Sequence, residues 1–312
     1  MHEGIFSTIV IMPMKPIKFD LTNALSAWGF SPFQIGVIIV LLALAVWYAY
    51  GTYLLAVRGR KWSNWRFLSF ILGLFLIDIA LQSPLAAFTA SYFQAHALQH
   101  LVLMAGAPPL LALGAPSTLL LQTASRKNKT LWLKFLHSKP FSFISHPILV
   151  WFLYYGAMFA FFLTPAIGFA MEHMALMDVI NVGFLLGATL FWWPIIAVDP
   201  IPKWQMDYGA KLINLLLGVP VEAFLGITIM MNHSTVAPMY SLSSTHAGGG
   251  ILWSASELFS VVAIVPIFFQ WMHSEDRKAA RYDRTIDLGV FDPEAEAQAA
   301  IVAVIAAPPT GK

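Results

Sequence analysis

The chain holds nine histidines and no cysteine, and five of the histidines, His96, His100, His173, His233 and His246, fall near the ends of long apolar runs. Imidazole is the commonest metal ligand and is costly inside a bilayer, so histidines gathered at one membrane depth point to a metal site. His96, His100 and Met104 follow one another at intervals of four, which sets them on one slowly drifting stripe of a helix. Two imidazoles one turn apart can share an ion, and a thioether one turn deeper suits Cu(I) better than zinc or Fe(II). Asp78 and Gln82 have the same spacing and a comparable depth, where each could hydrogen-bond a ligating imidazole and fix its tautomer. Taken alone, a histidine pair of this spacing reads first as hydrogen-bonded packing, and methionine is a common gap-filler. The depth shared by all five histidines is what carries the metal reading.

Two acids lie deeper. Glu222 and Glu257 are each eleven residues inward from His233 and His246, about 16 Å at 1.5 Å per residue. Carboxyls at mid-membrane need partners. Two roles stand open for them: neutral groups hydrogen-bonded to Asn181 or to each other, or the lining of a proton or second-ion position. Met171, Met174 and Met177 around His173, and Met230 and Met231 beside His233, share the outer depth and read as packing first and ligands second.

These residues need membrane helices to position them. Apolar residues make up 58% of the chain and charged residues 11%, and the mean hydropathy is +0.71. Seven stretches, near 33–57, 67–84, 92–122, 146–164, 173–197, 209–231 and 249–272, approach the roughly 20 apolar residues a membrane helix needs. The expected fold is therefore an all-α integral membrane protein, a seven-transmembrane-helix bundle at 33–273. Residues 1–32 form an extracytoplasmic N-terminal segment and 274–312 a cytoplasmic tail, partly disordered toward its Ala-rich end. The first 30 residues lack the pattern of a cleaved signal peptide, so the first span is expected to stay as an anchor.

Charge sets the orientation. Sixteen of the eighteen Lys and Arg fall after spans one, three, five and seven, and only Lys15 and Lys18 fall on the other side. By the positive-inside rule the N-terminus is outside and the C-terminus cytoplasmic, which makes this a multi-pass protein of the cell membrane. The net charge of +2 is then topological and offers no nucleic-acid surface. In this frame His96 and His100 begin span three, His173 begins span five and His233 ends span six. His246 sits in the outer loop before span seven. His137, His146 and His273 face the cytoplasm, and His2 lies in the N-terminal segment with Met12 and Met14.

Punctuation refines the spans. Pro108-Pro109 must kink or break span three, since proline removes an amide donor and clashes with the preceding turn. Gly248-Gly249-Gly250 would let the chain bend before span seven and let helices pack closely. Trp192, Trp193, Trp204 and Trp271 are placed at the cytoplasmic interface, which indoles favour. The chain has no phosphate loop, nucleophile elbow or dinucleotide fingerprint, and span seven has no lysine for a retinal Schiff base. The residues by themselves support a metal-binding polytopic protein in contact with membrane lipid, its homo-oligomeric state open. Histidine and methionine without cysteine suit Cu(I) on an oxidising face, where thiols would pair.

The run Ala95-His96-Ala97-Leu98-Gln99-His100, through Met104 to Ala107-Pro108-Pro109 and Gly114-Ala115-Pro116, resembles the signature of the CtaG-like cytochrome c oxidase assembly factors. The resemblance continues through Glu172-His173, Phe191-Trp192-Trp193-Pro194, Asp199-Pro200, the segment 224–231, and Gly249-Gly250-Ile251-Leu252-Trp253 to Gln270-Trp271, about residues 35–285 in all. It implies a seven-helix metallochaperone that helps mature a haem-copper oxidase of the respiratory chain by supplying copper, with cytochrome c oxidase subunits as partners. His96 and His100 match its motif directly. The chain departs from it at Ser244-Thr245-His246, where an acid and a glutamine are expected, and in having Asp178, Asn181 and Glu222 in the middle spans, where the family has more histidine. A haem-binding or electron-transfer protein, and a small ion or proton transporter using Glu222 and Glu257, stand as the alternatives.

Overall fold

A computed structural model describes residues 26–196, 198–199 and 204–287, together with 20 and 22. The expectations for His2, Met12, Met14, Lys15, Lys18 and Lys203 and for the tail beyond 287 fall outside these residues. Helix is the only regular structure among the described residues. In chain order the helices are α1 (Pro32–Val57), α2 (Asn64–Gln82), α3 (Pro84–Phe88), α4 (Phe93–Leu101), α5 (Ala107–Leu113), α6 (Pro116–Thr123), α7 (Arg126–Leu136) and α8 (Lys139–Ile144). They continue with α9 (Pro147–Phe162), α10 (Ala166–Glu172), α11 (Met174–Ile196), α12 (Tyr208–Met231) and α13 (Leu242–Asp287).

Six helical segments are long and apolar enough to cross a membrane. The expected fourth span differs. α9 has 16 residues, about 24 Å of helix against the roughly 30 Å of a hydrocarbon core. The chain then turns by 73° into α10, and a seventh crossing exists only if this bent pair counts as one.

Span three breaks as its prolines require. α4 opens into a π-helical turn, Val102–Gly106, in which the Ala107 amide reaches back to the Val102 carbonyl. α5 follows and carries Pro108 and Pro109 in its first turn. A proline at 108 has no amide to give the carbonyl four residues earlier, that of Met104. That carbonyl accepts instead from Trp192 Nε1 at 2.8 Å. Ala115, the one non-glycine residue with positive φ among those described, sits at φ 52° between α5 and α6. Asp199 closes the break by accepting from the amides of Ser117 at 2.9 Å and Thr118 at 2.7 Å and from the Thr118 hydroxyl at 2.6 Å. It acts as a long-range N-cap on α6.

The described residues up to Val262 form one compact unit. Within it α5 packs on α2 and α11, α9 on α11 and α12, and α1 on α2 and α6. Tyr48, Leu55, Phe70, Leu74 and Leu119 make a buried core, and the Tyr48 hydroxyl donates to the Gly114 carbonyl at 2.5 Å. α13 begins at Leu242, so His246 and the three glycines are helical, not part of a loop or a bend. The glycines serve close packing. A Cβ on Gly226 would lie 2.7 Å from the Gly249 carbonyl oxygen, and one on Gly249 would lie 2.8 Å from that of Gly226. From Ala263 the chain belongs to a second unit, in which α13 runs on to Asp287 with an exposed Lys278 to Glu275 ion pair of 2.7 Å.

Candidate metal centre

One helical turn on α4 brings His96 and His100 together. Their Nε2 atoms lie 2.9 Å apart, the rings stack at 4.8 Å between centroids, and each residue is 1% exposed. Phe161, Phe162 and Phe184 surround the His100 ring at centroid distances of 5.1, 5.4 and 4.8 Å. The pair is thus enclosed by α9 and α11, and little water reaches it.

The hydrogen bonds fix the tautomers. The Tyr240 hydroxyl donates to the Thr89 carbonyl at 2.8 Å, and its oxygen lies 2.8 Å from His96 Nδ1. A carbonyl can only accept, so the single phenolic proton is committed to Thr89 and His96 Nδ1 must be the donor to Tyr240. Burial pushes Tyr240 well above the ordinary tyrosine range, which keeps that proton in place. His96 Nε2 is then a bare lone pair directed at His100. The proton between the two Nε2 atoms belongs to His100, whose Nδ1 is buried with no hydrogen-bond partner among the described residues.

The donor set fits a soft or borderline cation. Two ligand nitrogens at about 2.0–2.1 Å from one ion stand about 3.3 Å apart at a tetrahedral angle and about 4 Å apart when linear. The observed 2.9 Å is a hydrogen-bond separation, so an ion between the rings requires them to part slightly. His100 must then carry its proton on Nδ1, among the three phenyl rings, where an N–H to ring contact gives weak compensation.

The remaining predicted site residues take other places. Met104 is buried within the π-turn, and it lines an apolar cavity of about 530 Å³ with Tyr154, Phe161 and Phe184. His173, at the junction of α10 and α11, is exposed and bonds the Phe169 carbonyl at 2.9 Å. His233 is exposed just past α12. His246 Nε2 bonds the carbonyl of Asn232, the residue capping α12, at 2.8 Å. Among the described residues no three His, Cys, Asp or Glu side chains meet in a group able to hold a metal.

Neither Asp78 nor Gln82 hydrogen-bonds the His96 or His100 ring; Gln82 donates to the Gln34 carbonyl at 2.9 Å, and Tyr240 takes the orienting role they were expected to have. Glu222 and Glu257 do not bond each other or Asn181. Glu222 meets the hydroxyls of Tyr155, Ser256 and Ser260, the last at 3.5 Å, and Glu257 accepts from Trp253 Nε1 at 2.5 Å. Gly218, one turn before Glu222, makes room for the Tyr155 hydroxyl, which would lie 1.9 Å from a Cβ there. Trp192 is 4% exposed and bonded to Met104, so it is an internal strut and not an interface anchor.

Tyr240 and Trp192 are the residues that sequence reasoning missed as parts of the site. Trp192 carried a usable signal, since a proline pair inside a span leaves carbonyls that need donors. Tyr240 carried none, being 144 residues from His96.

Known proteins bear on this arrangement. A family profile described as cytochrome c oxidase caa3 assembly factor matches residues 46–274. Uncharacterized proteins of Mycobacterium bovis and Mycobacterium tuberculosis are each 30% identical to the chain over 311 residues, and one of Mycobacterium leprae is 27% identical over 309. Each alignment covers 93% of this chain and 46% of the relative, so the chain spans about half the length of the curated relatives it matches. No solved structure matches it. The profile match takes in the histidine turn, the proline break, the Asp199 cap and most of α13, and on that ground the chain belongs to the cytochrome c oxidase caa3 assembly factor family.

Proposed function

We propose that the protein is a non-enzymatic, copper-binding assembly factor of the cell membrane that holds Cu(I) between His96 and His100 at its extracytoplasmic end and passes it to a subunit of a haem-copper oxidase. The observation that supports this most is the facing pair of Nε2 atoms in an enclosed pocket, one of them already fixed as a lone pair by the chain from Thr89 through Tyr240. Membership of the assembly-factor family supplies the class of client. The orientation rests on the charge asymmetry of the loops.

A two-nitrogen site that must open to admit its ion binds less tightly than a pre-formed four-ligand one. That suits a protein whose task is to release the ion to a partner. A haem clamp is not favoured by this geometry, because the two imidazoles that meet lie on one helix at hydrogen-bond separation and leave no room for a porphyrin between them.

The test is the copper content and visible spectrum of detergent-purified full-length protein loaded with Cu(I), beside a His96→Ala/His100→Ala variant. The variant is expected to hold about one equivalent of copper less than the parent, without a Soret band in either. Equal copper in both would remove His96 and His100 as ligands, and a Soret band would replace copper with haem.

A further inference from the structure

A second cavity lies apart from the histidine pair. It has a volume of about 380 Å³ and is lined by Met171, Met174 and Met177, with Asp178, Asn181 and Gln99 among its other walls. Three methionines lining one space with a carboxylate and an amide is not a packing motif, since methionine used as filler closes a gap and leaves none. The Asn181 side chain is the second sign of a ligand. It is 5% exposed, and its Oδ1 has no hydrogen-bond partner among the described residues. A buried amide oxygen without a donor has lost its hydration with nothing in return, and a cation at the cavity wall would offset that.

The placement on α11 is graded. Met174, Met177, Asp178 and Asn181 stand at i, i+3, i+4 and i+7 of one helix, so they share a face. Met174, the first residue of α11, is 59% exposed, Met177 is half-buried, and Asn181 is buried. Three residues further along the same face, Phe184 packs against the His100 ring at 4.8 Å. Neutral thioethers bring no charge, and the N-terminal end of a helix repels cations. Asp178 is the carboxylate on this wall that balances a single positive charge.

We infer that this cavity is a separate binding site for a soft monovalent cation, with the thioethers of Met171, Met174 and Met177 as ligands and Asp178 as counter-charge. Thioether sulfur selects Cu(I), and Ag(I) with it, over zinc, iron or calcium. The site lies outside the His96 and His100 pair. That its physiological occupant is copper rests on the function proposed above, whereas the existence of a soft-cation site does not.

Ag(I) is the probe, with full-length protein in detergent. X-ray absorption at the silver edge should show Ag–S scattering in the parent and in His96→Ala/His100→Ala. It should be lost, together with about one equivalent of bound silver, in Met171→Leu/Met174→Leu/Met177→Leu, whose side chains are close in volume. Asp178→Asn should weaken silver binding without removing sulfur from the shell. In a measurement on the unaltered protein, Ag(I) should shield these three methionines from peroxide oxidation more than the chain's other methionines, read by peptide mass spectrometry. Ag–S scattering that survives the triple variant, sulfur-free silver in the parent, or uniform oxidation with and without Ag(I) would each overturn the inference. Copper retained in full by the histidine variant, with Ag–S lost in the triple variant, would defeat the proposed His96 and His100 site and leave this one standing.

Discussion

The Trp192 indole donates to the Met104 carbonyl at 2.8 Å, and that carbonyl is the one Pro108 leaves without its helical partner. A buried carbonyl stripped of this donor loses about 1–3 kcal/mol. Trp192→Phe keeps an aromatic ring and removes the donor, so the unfolding temperature in detergent should fall. An unchanged temperature would show that the π-turn does not depend on this bond.

Tyr240 fixes the tautomer of His96, so Tyr240→Phe leaves His96 Nδ1 without its acceptor while the ring still packs on Phe93 at about the observed 5.4 Å. Partners of this kind are worth about 10–100-fold in metal affinity. Cu(I) affinity, measured by competition with a chromogenic chelator, should drop by that order while the protein stays folded. If the affinity is retained, Tyr240 does not orient the ligand.

Asp199 caps α6 through two amides and a hydroxyl, and burial pushes its carboxyl above the ordinary aspartate range. Asparagine keeps one acceptor oxygen, which can still serve one of these amides, and so should be tolerated better than alanine. Asp199→Ala is expected to cost about 1–2 kcal/mol, the range for a lost N-cap, and Asp199→Asn less. Thermal unfolding of the two variants tests this, and a greater loss for Asn than for Ala would contradict it.

Acid should release the ion. Binding at both Nε2 atoms needs neutral imidazoles, so protons and Cu(I) compete, and affinity rises with pH until both rings are neutral. Chelator competition from neutral to acid pH should show copper retention falling on acidification, with the fall lost in His96→Ala/His100→Ala. Retention that does not depend on pH would point to ligands other than imidazole.

Much of this architecture was legible in the sequence. Apolar runs of membrane length give helices because backbone groups in hydrocarbon must be satisfied internally. The four-residue spacing of His96 and His100 puts their rings on one face whatever surrounds them. Pro108-Pro109 dictates a break, because the missing amides are missing in any fold. The short fourth span was harder to see, since the apolar run continues past the turn after α9 and hydropathy does not register a 73° bend.

The histidine layer shows where depth runs out as evidence. Depth along a helix follows from residue number and rise, but the direction a side chain faces around the helix, and which neighbour meets it, follows from packing. Hence His173, His233 and His246 sit near helix ends yet turn to backbone or solvent, and only His96 and His100 meet.

The sequence by itself determined the helices, the break in span three and the juxtaposition of His96 with His100, because each depends on covalent neighbours within a few turns. The tertiary structure decided the rest: Tyr240 on His96, Trp192 on Met104, Asp199 on Ser117, and the cavity that Asn181 shares with three methionines. Those contacts join residues on different helices, and the periodicity of one helix carries no information about the face its neighbour presents.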